Sequence, residues 1–514
     1  MMKNLKIKFL SLLALCLAVS ACNNDSEEVI VEEATPVAFN ISAAYPVKVA
    51  EGENYPQTAW KAGDQLAVLR TNKRTFDKIV MSYASNGEFT GTIDSNTDED
   101  AKYAFLYPAD AYEPNTNDTL VQVLPLNGQD GTLAGVANYD YAWGEGPVVS
   151  SASSFSVEAD MSSLVSICKF QFLAENGAPM ERISQVILTA PQGSLYQCAT
   201  LDMKKGTLDK FMKGSIKVEN KNGLNGEVYV ALFPSETSLH FTISTIDGKA
   251  YEASISEDAL IPQGGFVVFE PVVCTSLPLA KVGDHFYSDA TWSTELNPNK
   301  KCVGVVYALE NEAGKMVNTL TSSSHGRVVA LKDVVQKATW SLSSEDVAEL
   351  ANQETLCDTL TIGCLPYFDG TVNSYFDDDK AHQLGGVRVN EANGQIANWY
   401  SNGALNDFEG EQNTSYIDHN ISQYPAGTYP TRFSEGITGW YLPSLGDLAL
   451  LWSLHKTGIV RADKQECFKD FAEFGYWSSS EASETEAWYV NFYSGMVVKN
   501  SKQSGYNVRT VIRF

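Results

Sequence analysis

The sequence predicts a mainly β chain ending in an α+β head, on two observations. From Pro36 to Cys274, short apolar or alternating runs such as AKYAFLYPAD, EVYVALFPS and GGFVVFEPVV recur between Gly, Asn, Asp and Pro turns. Almost no helical periodicity interrupts them, which is the pattern of β-sandwiches. After FEPVVC the composition shifts toward Trp, Asn and Gly, and helical segments enter.

The elements follow in chain order. IDGK, residues 246–249, separates LHFTIST from AYEASIS and predicts a hairpin turn. Residues 275–283 read as a linker. SSEDVAELANQ, 343–353, opens on serines and an acidic first turn, so it predicts a capped helix. LPSLGDLALLWSLHKTG, 442–458, predicts a second helix, with Ser444 as cap and Gly458 as stop. Its Leu445, Leu448, Leu451 and Trp452 share one face that packs on a sheet. In AWYVNFY, strand alternation turns Trp488, Val490 and Phe492 inward and Tyr489, Asn491 and Tyr493 outward. YNVRTVIRF predicts a strand that closes the sheet, with no tail left over to donate to another subunit.

Composition narrows the function. Asp and Glu number 63 against 37 Lys and Arg, a net charge of −26, which repels phosphate backbones and argues against nucleic acid as a partner. Seven cysteines follow Cys22, scattered from Cys168 to Cys467 without paired CxxC spacing. They read as mostly buried free thiols with room for one bridge. The six histidines are dispersed too, so no metal or cofactor site is expected. Asp369, Asp377, Asp378 and Asp379 lack the alternation of an EF-hand loop and read as a solvated acidic loop. SSSE, Ser478 to Glu481, has no glycine-flanked nucleophile elbow, and the serines are expected to form a tight turn rather than a catalytic site. Trp477 is expected to be buried beside them.

The start of the chain carries a first resemblance. Lys3, Lys6 and Lys8 precede FLSLLALCLAVS, an apolar run too short to span a bilayer comfortably, and LAVSAC places small residues before Cys22. This resembles a bacterial lipoprotein signal, which implies cleavage before Cys22 and acylation of its sulfur. The acidic NNDSEEVIVEE behind it is similar to the surface-export tether of Bacteroidetes lipoproteins. The resemblance implies an outer-membrane protein, lipid-anchored at the cell surface.

WKAGDQLAV (60–68), FTG (89–91) and YAFLYPA (103–109), followed by MSSLVSICKFQF (161–172) and YVALFPS (229–235), resemble in their order the two domains of the fimbrillin family. That resemblance implies two transthyretin-like β-sandwiches, with Trp60 and Tyr107 as core anchors, and pilin partners joined by strand exchange. The family usually loses its first strand to cleavage after an arginine. Here the first arginine is Arg70, already inside a strand region.

GWYLPSLGDLALLW, YWSSSE, AWYVNF and GYNVRTVIRF, with VGDHFYSDATWS, CVGVVYAL and HGRVVALKDV upstream, resemble a C-type-lectin-like domain. The implied division is a signal over 1–21, a tether over 22–36, sandwiches over 37–158 and 159–274, a linker over 275–283 and a lectin-like head over 284–514. On this reading the chain is a pilus-tip or cell-surface adhesin that binds a glycan or protein without chemistry. The alternative is an anchor or assembly subunit whose head docks another pilin; a hydrolytic enzyme is the reading the residues favour least. The expected ligand surface comprises Tyr489, Asn491 and Tyr493 first, then Trp477, Glu484, Glu486, Met496, Lys499 and Lys502.

Overall fold

The computed structural model describes residues 36–514 apart from 47–48, 51–52, 55–58, 72–78, 95–101, 114–119, 151–153, 191–193, 317–319, 357–360, 362, 366–387, 390–395, 399–402, 419–422 and 463–466. Cys22, the signal and the tether up to residue 35 lie outside the described residues, as do Asp369 and Asp377 to Asp379. No helix among the described residues is long and apolar enough to cross a membrane.

Among the described residues, seven strands of the first unit close on themselves as a barrel rather than dividing into two sheets. Pro36–Ala43 lies between Ser154–Ser163, which it pairs in parallel, and Glu88–Asp94, which it pairs antiparallel. Phe39 and Ile41 point into the barrel and are fully buried. Trp60 is the hub of the core, edge-on to Tyr45 at 4.8 Å and to Phe89 and Tyr107 at 5.0 Å, while its indole N–H donates to the Ala43 carbonyl at 2.7 Å. The AGD turn beside it is fixed by Asp64, whose carboxylate accepts from the Lys61 amide and the Tyr107 hydroxyl.

The second unit packs a sheet built on Ser166–Leu173 against a five-stranded sheet ordered Ile216–Leu224, Ile183–Thr189, Ser235–Thr245, Ala250–Ile261 and Thr275–Leu277. Phe170 and Phe172 meet Phe241 across the sandwich at 5.1 and 5.2 Å. The 246–249 hairpin forms as expected, with Gly248 at φ +74°, a left-handed value that favours glycine. Two expected boundaries move. The break at 158/159 falls inside Ser154–Ser163, and Thr275–Leu277, expected as linker, is the edge strand of the sandwich. Moreover, Val121–Pro125 leaves the barrel segment to pair with Tyr196–Asp202, so Leu124 and Leu126 share one core with Phe170 and Leu232.

Among the described residues the head has a two-stranded ribbon of Arg388–Val389 and Ile396–Asn398, and two large sheets with the Leu445–Lys456 helix packed against both. One is ordered Trp292–Ser293, His285–Tyr287, Cys302–Glu310, His325–Ala330, Val511–Arg513. The other runs Val335–Thr339, Gly505–Val508, Gly475–Glu481, Glu486–Asn491, Met496–Ser501, Gly363–Cys364. The helix starts at Ser444 with a complete capping box to Asp447, but Leu445 through Leu454 are all buried. It is a central helix enclosed on every side, not an amphipathic one. The expected helix over 343–353 does not form. Its backbone groups have tertiary partners instead: the Glu345 carbonyl accepts from Lys502, the Gln353 carbonyl from Trp488, and the Gln353 amide donates to the Glu481 carbonyl. YNVRTVIRF splits into Gly505–Val508 in one sheet and Val511–Arg513 in the other.

Sandwich and head meet in a shared core in which Ile187, Ala250 and Leu277 pack with Phe286, Trp292, Trp440 and Phe514. Ser215 and Thr438 lock the seam with reciprocal hydrogen bonds of 3.0–3.1 Å. Two buried histidines lie near it. His240 Nδ1 is 2.9 Å from Ser254 Oγ, and Asp289, Glu252 and Lys300 surround it; His325 faces Lys217, Glu219 and Glu310. Neither Nε2 has a hydrogen-bond partner, and burial depresses both imidazoles below the ordinary histidine range. A depressed histidine supports the fold above its unfolded value of about 6.5 and loses that support as pH falls. The melting temperature of this unit is expected to drop between pH 7.5 and 5.5, and to drop less in a His240→Gln/His325→Gln variant. Glu481, raised to about 7 by burial, acts in the opposite direction, so the difference between the two proteins is the reading that decides.

Candidate functional site

The outer hairpin of the head, Glu486–Asn491 and Met496–Ser501, brings together part of the expected surface and disperses the rest. Alternation is as expected: Trp488, Val490 and Phe492 are buried, while Tyr489 and Asn491 are partly open and Tyr493 is 63% exposed. Register then decides which side chains share a face. Tyr489 lies opposite Val498, and Trp488 opposite Lys499. Lys499 and Glu486 therefore sit on the Trp488 side, 3.9 Å from each other, with Lys499 also reaching the Glu354 carbonyl. They do not join the tyrosine face. Glu484 is exposed in the preceding turn, where its carbonyl accepts from Lys502 at 2.7 Å.

Two expected surface residues are core. Trp477 is fully buried, donates its indole N–H to the Ala338 carbonyl at 2.9 Å and packs with Trp340 and Val508. Lys502 is fully buried too. Its ammonium pairs with the Glu481 carboxylate, donates to the Glu345 and Glu484 carbonyls at 2.8 and 2.7 Å, and stands 5.0 Å over the Trp340 ring. Three donors meet three acceptors, so none remains for a ligand.

The tyrosine face carries an aromatic platform that sequence reasoning missed. Tyr489 and Tyr506 stack at 4.0 Å and 16°. Phe474, 39% exposed, lies 5.8 Å from Tyr506, and Trp477 closes the cluster from beneath, edge-on to Tyr506 at 4.7 Å. Gly475 makes room for the stack, since a Cβ there would meet the Tyr506 ring at 2.3 Å. The Asn500 amide donates to the Tyr506 hydroxyl at 2.7 Å. Burial and the Tyr506 neighbour push the Tyr489 phenol up, so it stays a neutral hydroxyl.

Tyr493 and Met496, the latter 44% exposed, project from the turn that joins the two strands of the hairpin. Asn491 Oδ1 accepts from the Tyr493 and Ser494 amides at 3.0 and 3.2 Å, so this side chain shapes the turn. Gly495 adopts φ +70° directly over Trp452, where a Cβ would lie 2.4 Å from the indole, and the Trp452 N–H donates to the Phe492 carbonyl.

The three serines form strand, not a tight turn, and each hydroxyl has a structural partner. Ser478 donates to the Trp488 carbonyl, Ser479 accepts from Asn413, and Ser480 donates to Asp407 while accepting from the Leu445 amide. Ser480 thereby ties the strand Gly475–Glu481 to the start of the central helix, Ser479 ties it to the Gly410–Ile417 helix, and Ser478 to the neighbouring strand.

Residues 391–512 match the family model of the Lcl C-terminal domain. No curated protein matches the chain. Among solved structures, a fimbrial protein from Bacteroides ovatus is similar over 94% of this chain and 99% of its own, at 13% identity and a TM-score of 0.29. A fimbrial assembly protein from Parabacteroides distasonis is similar over 48% of this chain and 95% of its own, at 11% identity and a TM-score of 0.25. Likenesses this loose carry no functional argument.

Proposed function

We propose that this chain is a cell-surface adhesin of fimbrial type, tethered through Cys22, whose head binds a glycan. The stacked pair Tyr489–Tyr506, extended by Phe474 and edged by Asn500, is the observation that carries the reading, and Tyr493 and Met496 stand exposed where the same hairpin turns. The C–H faces of a sugar ring complement such an aromatic surface, and its hydroxyls complement the amide and phenol groups around it.

Assembly with other subunits is the second half of the proposal. Pro36–Ala43 has a ladder on both sides and inserts Phe39 and Ile41, so its removal would open a groove that a strand from another copy could fill. Arg70 is a buried residue of Gln65–Arg70, and cleavage after it would sever the barrel instead. Mass spectrometry of the mature terminus, with gold labelling of the head on cells, separates the outcomes. A terminus beyond Val37 and gold at fibre ends is the result expected for a tip subunit. An intact lipidated Cys22 with gold on the cell body would leave a tethered receptor or anchor.

The ligand surface is tested by a Tyr493→Ala/Met496→Ala variant of the full chain on immobilised glycans. Both side chains project to solvent, so the melting temperature should hold while affinity falls about tenfold or more. Undiminished affinity would remove this turn from the proposal, and binding to a protein but to no glycan would replace the ligand class. Tyr489→Ala is the poorer test, because that ring also packs in the stack.

A further inference from the structure

Cys302 opens a central strand of the head, and Cys467 lies in the segment after the central helix, 165 residues away in sequence. Their sulfurs are 3.1 Å apart, with the Cys467 thiol directed at Cys302 and the Cys302 thiol at the Gly304 carbonyl. Both residues are half-buried and line a cavity of about 220 Å³, together with Leu331, Lys332, Phe433 and Glu435. A small disulfide or the active-site loop of a dithiol oxidoreductase could reach them there. Cys168 and Cys274, by contrast, are buried in the sandwich core, where burial pushes both thiols up.

We infer that Cys302 and Cys467 form a disulfide that staples the central strand of the head to the segment carrying Phe468 and Phe471. The chemistry is thiol–disulfide exchange. The Cys467 thiolate attacks a disulfide RSSR, forming a mixed disulfide and expelling RS⁻. Cys302, giving up its proton, then attacks the protein-side sulfur and expels the second RS⁻. Two protein thiols and one RSSR thus become one protein disulfide and two RSH.

The consequence lies in what the staple holds. Phe468 and Phe471 flank the Arg509 guanidinium at 5.3 and 4.4 Å, and Arg509 also binds Asp333 at 2.6 Å and the Lys469 carbonyl at 3.1 Å. Arg509 is the point where the chain crosses from Gly505–Val508 in one sheet to Val511–Arg513 in the other. A covalent link here ties both sheets through a long closed loop, the case in which cross-linking restricts the unfolded chain most.

The test uses the full chain expressed with its own leader, with thiols alkylated before lysis, and the same chain made reduced and then treated with oxidised glutathione. A non-reducing tryptic digest should join the peptide 302–315 to the peptide 465–469 in both. Reductant should lower the melting temperature of the head by about 5–10 °C, and a Cys302→Ser/Cys467→Ser variant should not respond. Both peptides recovered alkylated and unlinked after oxidation would overturn the inference. So would an equal response to reductant in the double variant.

Discussion

Lys502→Met is expected to destabilise the head by about 3–5 kcal/mol at neutral pH and by clearly less at pH 5. Lys502 and Glu481 are both fully buried, and the ammonium also supplies the donors for the Glu345 and Glu484 carbonyls. Methionine fills much of the space over Trp340 but leaves a carboxyl and two carbonyls unserved. Burial already raises Glu481 to about 7 with the cation in place. Without it, the carboxyl is pushed further up. A carboxyl raised in the folded state contributes its stability below the unfolded value and loses it as pH rises through the folded one. The variant therefore recovers as Glu481 is protonated. Urea denaturation of the head at pH 7.5 and pH 5 reads both halves of this prediction. A loss that is the same at both values would mean that packing, not the stranded carboxyl, is responsible. Glu481→Leu added to Lys502→Met should restore part of the stability, because replacing a buried pair costs less than breaking it.

That same lysine shows where sequence reading stops. In VVKNSKQSG it reads as an exposed cation of the ligand surface, because its partners are Glu481, Trp340 and Glu345, two of them on a distant segment. The failed helix over 343–353 has the same cause. Local signals for a cap and an acidic first turn are present, yet tertiary partners claim the Glu345 carbonyl and the Gln353 amide that a helix would need. Signals that are complete within a few residues survived: the hairpin at 246–249, the Ser444 cap, and the inward Trp488, Val490 and Phe492. What depends on which strands become neighbours was not legible. Tyr506 and Phe474 join Tyr489 only because Gly505–Val508 lies beside Gly475–Glu481. The thiol pair likewise depends on a contact across 165 residues. Barrel closure, and the departure of Val121–Pro125 to another sheet, are long-range choices of the same kind.

Asp447→Ala is expected to cost about 4–5 kcal/mol, against about 1 kcal/mol for Ser444→Ala. Both remove the capping box, but Asp447 serves two masters. Its Oδ2 accepts from the Ser444 amide and hydroxyl at 3.1 and 2.8 Å, while Oδ1 accepts from Arg327 at 2.7 Å and from the Tyr307 hydroxyl at 2.9 Å. Arg327 is itself buried, with Glu310 at 2.6 Å and the Phe408 carbonyl at 2.9 Å as its other partners. Deleting the carboxylate strands a guanidinium N–H and a phenol away from water, whereas deleting the serine hydroxyl removes one neutral cap. Asp447→Asn, which keeps the shape but not the charge, should fall between them. The effect should also travel to the ligand surface. The helix that Asp447 starts carries Trp452, which holds the Phe492 carbonyl at 3.2 Å and lies under Gly495. Loosening its first turn should therefore speed amide hydrogen exchange at residues 492–496, and glycan binding should weaken even though no ligand-facing side chain has changed. Unaltered exchange there, with the full stability loss, would separate the helix start from the Tyr493 turn and confine Asp447 to the core.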